Sequence, residues 1–177
     1  FYGPKLDIQY KNVYGKEDTL VTIQIDMLLA QRFGMYYTDE NGEKALPYII
    51  HRTSLGCYER TLAYLIEEYA GAFPTWLAPT QVKLLPITDR TQDYARQVQA
   101  ELETYGIRCE LDARSEKIGK KIRDAQMEKV PYMLVLGDKE AEENVVAVRS
   151  RKTGETETMP LADFARKLCE EVRTKAR

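Results

Sequence analysis

Residues 81–112, "QVKLLPITDRTQDYARQVQAELETYGIRCELD", contain an apolar run, an amphipathic stretch that closes at Gly106, and a second short apolar run. This order predicts a strand, a helix and a strand. Downstream, "EKIGKKIRDAQMEK" has helical spacing and "PYMLVLG" predicts another strand. A strand in "VVAVRSR", a "KTGE" turn and a final helix from about Leu161 complete the pattern. Strands separated by helices of this length predict an α/β layer with parallel pairings.

The sequence upstream of this layer has a different pattern. Three segments, "KLDIQY", "LVTIQIDM" and "ALPYIIHR", are short and rich in β-branched and aromatic residues, and Asn41-Gly42 is a strong hairpin signal. They predict an antiparallel sheet. The next segment, "GCYERTLAYLIEEYAG" at 56–71, predicts a helix that ends at Gly71. One apolar face of this helix is expected to be buried; it consists of Leu62, Leu65, Ile66 and Tyr69.

Two domains are expected, because the composition changes near residue 78. Nine tyrosines precede that position and three follow it. Pro74 and Pro79 in "FPTWLAP" bracket a connector that cannot continue the preceding helix. We therefore predict a domain at 1–77 and a second domain at 78–177. The predicted fold class is α+β followed by α/β, with an antiparallel sheet first and a mixed-sheet α/β domain second.

Composition describes a globular chain and excludes some functions. The chain has 177 residues, 44% of them hydrophobic, and a formal net charge of −2, so no overall basic field points to nucleic acid. Residues 1–77 have 7 Lys and Arg against 10 Asp and Glu, and residues 78–177 have 19 against 18. Any nucleic-acid contact must therefore be a local patch. No apolar run has the length of a membrane span, and the three cysteines lack a CxxC spacing, which favours a reducing cytosol.

Common catalytic motifs are absent. No Gly-rich phosphate loop, dinucleotide fingerprint or serine nucleophile elbow occurs in the sequence. His51 is the only histidine, whereas a zinc site needs about three or four protein ligands. On its own, His51 is more often a core or surface residue than a metal ligand.

Arg60 is the first candidate for binding chemistry. It follows Glu59 directly, and residues at i and i+1 do not share a helix face, so the two are not a simple surface pair. Either they belong to a structural ion-pair network, or Arg60 holds an anion such as a phosphate through its fork of donors. At the start of the chain, "FYGPK" supplies Tyr2 and Lys5, and the simplest interpretation is a strand entry with an exposed lysine.

A cationic stretch in the second domain is the next candidate. In "RSEKIGKKIRDAQMEK", Ile118, Ile122 and Ala125 lie at helical spacing and predict the packed side of the helix. The cations are assigned to the remaining surface; they are Lys117, Lys120, Lys121, Arg123 and Lys129. Such a face is usually only solvated, but Arg114, Arg149 and Arg151 extend it into an RNA patch if they converge.

Six segments together resemble the C-terminal part of the threonyl-tRNA synthetases, a family of class II aminoacyl-tRNA synthetases. They are "FYGPK", "TIQID", "IIHR", "LGCYER", "AGAFPTWLAP" and "RSEKIGKKIRDAQMEKVPYMLVLGDKE", in family order and spacing. The resemblance covers essentially the whole chain. It implies part of a class II catalytic domain followed by an anticodon-binding domain. The implied reaction is ATP-dependent activation of threonine and its transfer to tRNA(Thr).

The resemblance also implies roles for single residues. "GCYER" is similar to motif 3 of class II synthetases, whose arginine, here Arg60, holds the ATP phosphates. His51 matches one of three protein ligands of an active-site zinc ion. The positions that line the threonine, adenylate or tRNA acceptor site match Tyr2, Lys5, Thr22 and Gln24. Two further pocket positions depart from the common family residue, namely Thr19 and Cys57.

In the second domain, the family positions that bind the anticodon match Ser115, Arg123, Lys129, Glu140 and Arg149. Ser115 and Lys129 depart from the common family residues. The family further implies ATP with Mg²⁺, a homodimer and a cytoplasmic location. Motifs 1 and 2 and the other two zinc ligands are expected upstream, so the chain is expected to be a fragment that does not activate threonine alone. The alternative is a non-catalytic tRNA-binding paralogue or an excised fragment.

Overall fold

The computed structural model describes residues 2–176, and the side chains of residues 3–176. The chain forms two compact units, residues 1–68 and 69–177. Unit 1 and unit 2 below denote these ranges. No described helix is long and apolar enough to cross a membrane.

Unit 1 is built on a three-stranded antiparallel sheet in the order β1-β2-β5, as the sequence predicts. These strands are β1 (Tyr2–Lys11), β2 (Glu17–Asp26) and β5 (Ile49–Arg52). The remaining elements are α1 (Leu29–Arg32), β3 (Tyr37–Thr38), β4 (Lys44–Ala45) and α2 (Tyr58–Glu68). The β3–β4 pair is the predicted hairpin, in which Gly42 has a positive φ of 80° that a side chain would strain.

The apolar sides of unit 1 remain exposed. Leu6 pairs with Ile23, and Ile25 pairs with Ile50, so these side chains share one face of the sheet. The prediction of a buried face on α2 is wrong: the helix has no buried residue, and Leu62 is 53% exposed. The physical reason is that contacts within unit 1, such as the tilted Tyr10 and Tyr64 rings with centroids 4.3 Å apart, cover this apolar surface only in part.

Unit 2 is a three-layer α/β structure around a mixed five-stranded sheet in the order β10-β9-β8-β6-β7. Its strands are β6 (Val82–Pro86), β7 (Cys109–Leu111), β8 (Tyr132–Leu136), β9 (Val145–Ser150) and β10 (Thr156–Pro160). Its helices are α3 (Gln92–Thr104), α4 (Ile118–Met127), α5 (Asp138–Glu143) and α6 (Leu161–Thr174). The predicted parallel pairings hold for β6 with β7 and β8, whereas β9 and β10 add antiparallel pairs.

The core of unit 2 has two parts, one on each face of this sheet. On one face, α3 and α6 pack against the strands, with Phe164 and Leu102 among the most buried side chains. On the other face, α4 places the predicted stripe, which includes Ala125, against Leu85 and Met133. Helices on both faces bury strands on both sides, which explains the nearly continuous apolar sequences of β6 and β8.

The division between the units lies at 68/69, whereas the sequence predicts it at 77/78. Side chains of unit 2 account for the difference, because they hold the backbone of residues 70–78. The Arg151 guanidinium donates to the Phe73 carbonyl at 2.7 Å, and that of Arg108 donates to the Ala78 carbonyl at 2.8 Å. The connector that the prolines bracket therefore packs as part of unit 2.

Candidate functional site

A row of polar side chains crosses the sheet of unit 1. In the strand registers, Lys5 lies opposite Gln24, and Gln24 lies opposite His51. Residues that face each other across an antiparallel pair point to the same side of the sheet. Thr22 lies two residues before Gln24 and therefore shares this side. The structure thus brings together Lys5, Thr22, Gln24 and His51, which the sequence analysis selected separately.

Asp7 connects two members of this row. Its Oδ1 accepts a hydrogen bond from the Thr22 hydroxyl at 2.7 Å, and its Oδ2 lies 2.9 Å from Lys5 Nζ. Hydrogen bonds from Lys5 and then Thr22 hold the pKa of the Asp7 carboxyl below its usual value. Asp7 was missed in the sequence, although its position two residues after Lys5 places it on the same side of the strand.

Asp26 holds the ring of His51. The Asp26 side chain is completely buried, and its Oδ2 lies 3.0 Å from His51 Nε2. Its Oδ1 accepts hydrogen bonds from the backbone N–H groups of Leu28 and Leu29, both at 2.9 Å. Burial raises the pKa of Asp26, but these hydrogen bonds and the His51 contact outweigh it, so the pKa lies below its usual value. Asp26 therefore remains a carboxylate at neutral pH.

The Asp26–His51 pair fits one position of a metal site. A carboxylate bonded to one ring nitrogen fixes the orientation of a metal-ligating histidine in many proteins. Among residues 2–176, no group of three or more His, Cys, Asp or Glu side chains is arranged to hold a metal ion. The described residues therefore include one histidine with a fixed ring orientation and no complete coordination shell.

Arg60 lies at the other end of β2. Its Nη1 donates to the Thr19 carbonyl at 2.8 Å. Thr19 lies five residues before Gln24, which corresponds to about 16 Å along a strand. Glu59 instead accepts a hydrogen bond from the exposed Cys57 thiol at 2.8 Å, which lowers the pKa of its carboxyl. Among the described residues, Glu59 and Arg60 form no ion pair with each other. The side chain of Tyr2 lies outside the described residues.

Gly56 sets the path of the loop that delivers Arg60. Its φ is +68°, and a Cβ atom there would lie 2.0 Å from the carbonyl oxygen of Leu20. Any side chain would therefore collide with the backbone of β2 as well as strain the turn. The glycine of "LGCYER" thus permits close contact between this loop and the sheet.

In unit 2, predicted anticodon residues lie at both ends of the central strands. Ser115 follows β7, and Glu140 follows β8, so both lie at the carboxyl edge of the parallel strands. Lys129 precedes β8, and Arg149 pairs with Met133 near the start of that strand. Arg123 is exposed on α4, which runs between the two edges. Ser115, Arg123, Lys129 and Arg149 therefore follow the α4 side of the sheet, whereas Glu140 lies on α5, which packs with the core on the other face. The five residues do not form one compact cluster.

A polar cavity of about 270 Å³ lies beside Ser115. Its lining also includes Thr88, Asp89 and Gln92, which follow β6 and were not singled out in the sequence. The carboxyl ends of neighbouring parallel strands are a common place for ligands in α/β sheets. The repeated strand–helix pattern could have indicated these residues, because they come directly after a buried strand.

Glu140 and Arg149 have contrasting environments. Glu140 Oε2 accepts a hydrogen bond from the backbone N–H of Gly137 at 2.9 Å, which caps α5. The Nε atom of Arg149 is buried without a hydrogen-bond partner among the described residues. A buried donor without a partner is costly, so a bound acceptor at this position would be favourable.

Lys121 does not belong to the cationic surface predicted for α4. It is 3% exposed, and its Nζ donates to the carbonyls of Pro86 at 3.0 Å and Asp112 at 3.1 Å. Lys121 lies three residues after Ile118 and four before Ala125, so it faces inward with them. The ammonium therefore joins the ends of β6 and β7.

The three arginines expected to extend the patch do not act as a common set of surface cations. Arg114 pairs with Asp112 at 2.6 Å and with Asp124 at 2.9 Å. Arg149 is partly buried beside Met133, and Arg151 holds backbone carbonyls. Lys129 also differs from a simple surface cation, because its Nζ donates to the Ala70 carbonyl.

Each of the two units matches a known protein family. Residues 81–171 match the family described as "Anticodon binding domain". Residues 1–69 match the family described as "tRNA synthetase class II core domain (G, H, P, S and T)". The chain belongs to the anticodon-binding-domain family, joined here to part of a class II tRNA synthetase core, and the predicted fold class is confirmed.

The particular relatives are threonine–tRNA ligases, which confirms the predicted resemblance. The chain is 64% identical over 172 residues to the ligase of Clostridium perfringens (strain SM101 / Type A), covering 97% of this chain and 27% of the relative. It is 60% identical over 177 residues to that of Clostridium botulinum (strain Eklund 17B / Type B), covering 100% and 28%. The chain thus spans slightly more than a quarter of these relatives.

A solved structure has the same fold. It is the crystal structure of the RNA binding domain of threonyl-tRNA synthetase from Cryptosporidium parvum Iowa II, with a TM-score of 0.84 and 37% identity. The match covers 96% of this chain and 43% of that chain.

Proposed function

We propose that this chain is the part of a threonine–tRNA ligase that carries motif 3 and binds the anticodon. The observation that carries the proposal is the Lys5–Gln24–His51 row on the sheet of unit 1, in a chain similar to these ligases along almost its whole length. In the reaction, the threonine carboxylate attacks the α-phosphate of ATP, which gives threonyl-adenylate and releases pyrophosphate. The tRNA terminal ribose then takes the threonyl group, and AMP leaves.

The side chains of unit 1 suit positioning better than acid–base work. Lys5 supplies a cation, while Thr22 and Gln24 supply hydrogen-bonding groups to threonine, the adenylate or the tRNA end. We assign Tyr2, Thr19 and Cys57 to the same pocket on the family resemblance. Asp7 holds Lys5 and Thr22 through its two carboxylate oxygens, so it would fix their geometry. ATP with Mg²⁺ is the proposed second substrate, and a homodimer in the cytosol is the proposed state of the full-length ligase.

Arg60 is proposed to hold the ATP phosphates. In the full-length ligase, Arg60→Ala should cost about 3 kcal/mol in transition-state stabilisation, the scale of losing one preorganised donor. Threonine-dependent ATP–pyrophosphate exchange measures this loss. Arg32→Ala is the matched control, because Arg32 is an exposed arginine on α1 of the same unit. An exchange rate equal to wild type in Arg60→Ala would show that its role is to hold the Thr19 carbonyl.

The 177-residue chain alone is expected to show no such exchange, since motif 2 of the family lies outside it. The same assay on the full-length ligase distinguishes an active enzyme from a non-catalytic tRNA-binding paralogue. ATP–pyrophosphate exchange by the 177-residue chain would contradict the proposal that the active site needs motif 2 in addition to these residues.

We propose one zinc ion per active site of the full-length ligase, with His51 as one of three protein ligands. When bound, the zinc would act as a Lewis acid that grips the amino and hydroxyl groups of threonine. Asp26 would orient His51, so Asp26→Asn should weaken zinc binding about tenfold or more. Elemental analysis and zinc titration of His51→Ala and Asp26→Asn test this, with Asp93→Asn on the exposed side of α3 as control. Equal zinc in all variants would remove His51 from the site.

We propose that unit 2 binds the threonine anticodon through the α4 side of its sheet and through Glu140 on α5. Splayed single-stranded bases are commonly recognised by stacking and by hydrogen bonds to their edges. The unpartnered Arg149 Nε supports a role for Arg149, while Ser115, Arg123, Lys129 and Glu140 are proposed from the resemblance.

Two RNA stem-loops, one with a threonine anticodon and one with a non-cognate anticodon, distinguish base-specific binding from general RNA binding. Arg149→Met and Glu140→Gln should reduce the preference for a threonine anticodon stem-loop over a non-cognate loop, by about 1 to 3 kcal/mol for each good base contact. Arg166→Met and Glu142→Gln are controls, because both residues are exposed on helices α6 and α5. Binding titrations provide the measurement. Equal losses for both loops would mean that these residues do not recognise bases.

A further inference from the structure

Arg151 makes an unusual set of contacts in unit 2. Its Nη2 donates to the carbonyls of Phe73 at 2.7 Å and Ala72 at 3.3 Å, and its Nη1 donates to the carbonyl of Lys129. One guanidinium thus joins residues 70–75 to the turn between α4 and β8. From here on, the word connector denotes residues 70–75 and not the wider proline-bracketed segment. Its own backbone N–H donates to the Pro131 carbonyl at 2.9 Å, which fixes the base of the side chain.

The geometry of Arg151 depends on its planar fork and not only on its charge. Three carbonyls in different directions can be held by one rigid guanidinium, whereas a lysine ammonium is a compact point charge. Arg151 is partly buried, and burial lowers the pKa of its guanidinium. Nearby, Glu171 accepts hydrogen bonds from Tyr132 at 2.7 Å and from Thr75, so the connector is fixed at a second point.

Lys129 links this clamp to the proposed RNA surface. Its backbone has a positive φ of 59°, a conformation that costs energy in a residue other than glycine and persists only when its surroundings hold it. Arg151 binds the carbonyl of this residue, and Lys129 Nζ donates to the Ala70 carbonyl. The two cations therefore hold the connector and the turn together.

We propose that Arg151 is a positioning residue that fixes the connector against the turn that presents Lys129, and that it supports RNA binding through this geometry without contacting RNA. The part that concerns RNA rests on the proposed function of unit 2. The part that concerns the connector does not, and it can be measured on the chain alone.

The first experiment measures hydrogen exchange of residues 70–75 in the 177-residue chain. Arg151→Lys and Arg151→Met should both speed exchange in the connector by about tenfold or more, the scale of losing hydrogen bonds from a charged donor. Lys139→Met is the control, because Lys139 is an exposed cation of unit 2 outside both the connector and the turn. Arg151→Lys keeps the charge and provides a test if Arg151→Met fails to fold. Wild-type exchange in Arg151→Lys would overturn the clamp.

The second experiment is a double-mutant cycle with a threonine anticodon stem-loop. Arg151→Lys should weaken binding about fivefold, and Lys129→Met should then add little, because residues that act through one another are not additive. If Arg151 contacts phosphate directly, Arg151→Lys should keep the affinity, and Arg151→Met should reduce the salt dependence by about one charge. Additive losses or full affinity in Arg151→Lys would overturn the role in RNA binding.

The two experiments separate the two proposals. If the wild-type chain does not bind the stem-loop, the proposed function of unit 2 is contradicted, while hydrogen exchange still decides whether Arg151 clamps the connector. If the stem-loop binds and the connector exchanges equally fast in wild type and Arg151→Lys, the positioning role is wrong and the proposed function stands.

Discussion

Unit 1 and unit 2 are stabilised in different ways. Among the described residues, Ala30 is the only buried hydrophobic residue of unit 1, whereas unit 2 buries side chains from three strands and three helices on the two faces of its sheet. Unit 1 depends instead on its strand pairings and on polar contacts such as those of Asp7 and Asp26. A sheet can therefore arrange a row of functional groups without a core of its own, but buried apolar area is the main source of stability.

The largest expected difference is in independent folding. Residues 69–177, expressed alone, should fold with a cooperative thermal transition, because their core is complete. Residues 1–68 alone should not, because their exposed apolar sides supply little of the free energy that must offset chain entropy. Circular dichroism melting and amide dispersion in NMR spectra provide the measurements. A cooperative transition in residues 1–68 would contradict this comparison.

The start of unit 2 can be tested in the same way. The sequence predicts that residues 78–177 fold alone, whereas the hydrogen bonds of Arg151 and Thr75 indicate that residues 69–77 stabilise the unit. Removing them should lower the free energy of unfolding by about 2 to 4 kcal/mol, since hydrogen bonds to charged groups are lost. Equal stability of residues 69–177 and residues 78–177 would show that residues 69–77 contribute little.

In both units, the length of an element decides whether the sequence predicts it. The long alternation in unit 2 was predicted because apolar strands and amphipathic helices have distinct periods. The sequence pattern does not predict α1, α5 or β10, which are 4, 6 and 5 residues long. Periodicity is weak over so few residues, and pairing with β9 stabilises β10 in a segment without an apolar run.

The candidate site was predictable in residue type but not in arrangement. Strand period places Asp7 with Lys5 and Asp26 with Gln24, yet the register that brings Gln24 opposite His51 depends on pairing across distant strands. Lys121 shows the opposite case. Its spacing from Ile118 indicated an inward position, but a charged residue is rarely buried unless it is paired, and its partners are backbone carbonyls that the sequence does not reveal.

A matched pair of leucines compares the two units directly. Leu168→Ala on α6 should destabilise the chain by about 2 to 5 kcal/mol, because Leu168 is 1% exposed in the core and its loss leaves a cavity. Leu62→Ala on α2 should change stability by about 0.5 kcal/mol or less, because that side chain is largely exposed. Urea unfolding of both variants measures this. A similar cost at the two sites would indicate that Leu62 is covered in solution.

Two neighbouring lysines on α4 give a smaller difference. Lys121→Met should cost about 1 to 3 kcal/mol, because the buried carbonyls of Pro86 and Asp112 lose their donor. Lys120→Met should cost about 0.5 kcal/mol or less, because Lys120 makes an exposed i,i+4 pair with Glu116. Thermal unfolding and binding of an RNA loop are the measurements. A loss of RNA affinity without a loss of stability in Lys121→Met would restore the surface role predicted from the sequence.

Thiol labelling compares the units without changing their stability. Burial, and then the nearby charge of Glu103, raise the pKa of Cys109 in unit 2 to about 12, whereas Cys57 in unit 1 is exposed. Because the thiolate is the reactive form, iodoacetamide at pH 8 should label Cys57 well before Cys109. Cys57→Ser identifies the fast phase, and peptide mass spectrometry locates each adduct. The raised pKa of Cys109 favours the neutral thiol in the folded state, so the contribution of this thiol to stability should be lost as pH rises from 9 towards 12. Labelling of Cys109 at the rate of Cys57 in the folded chain would show that unit 2 opens far more readily than its core indicates.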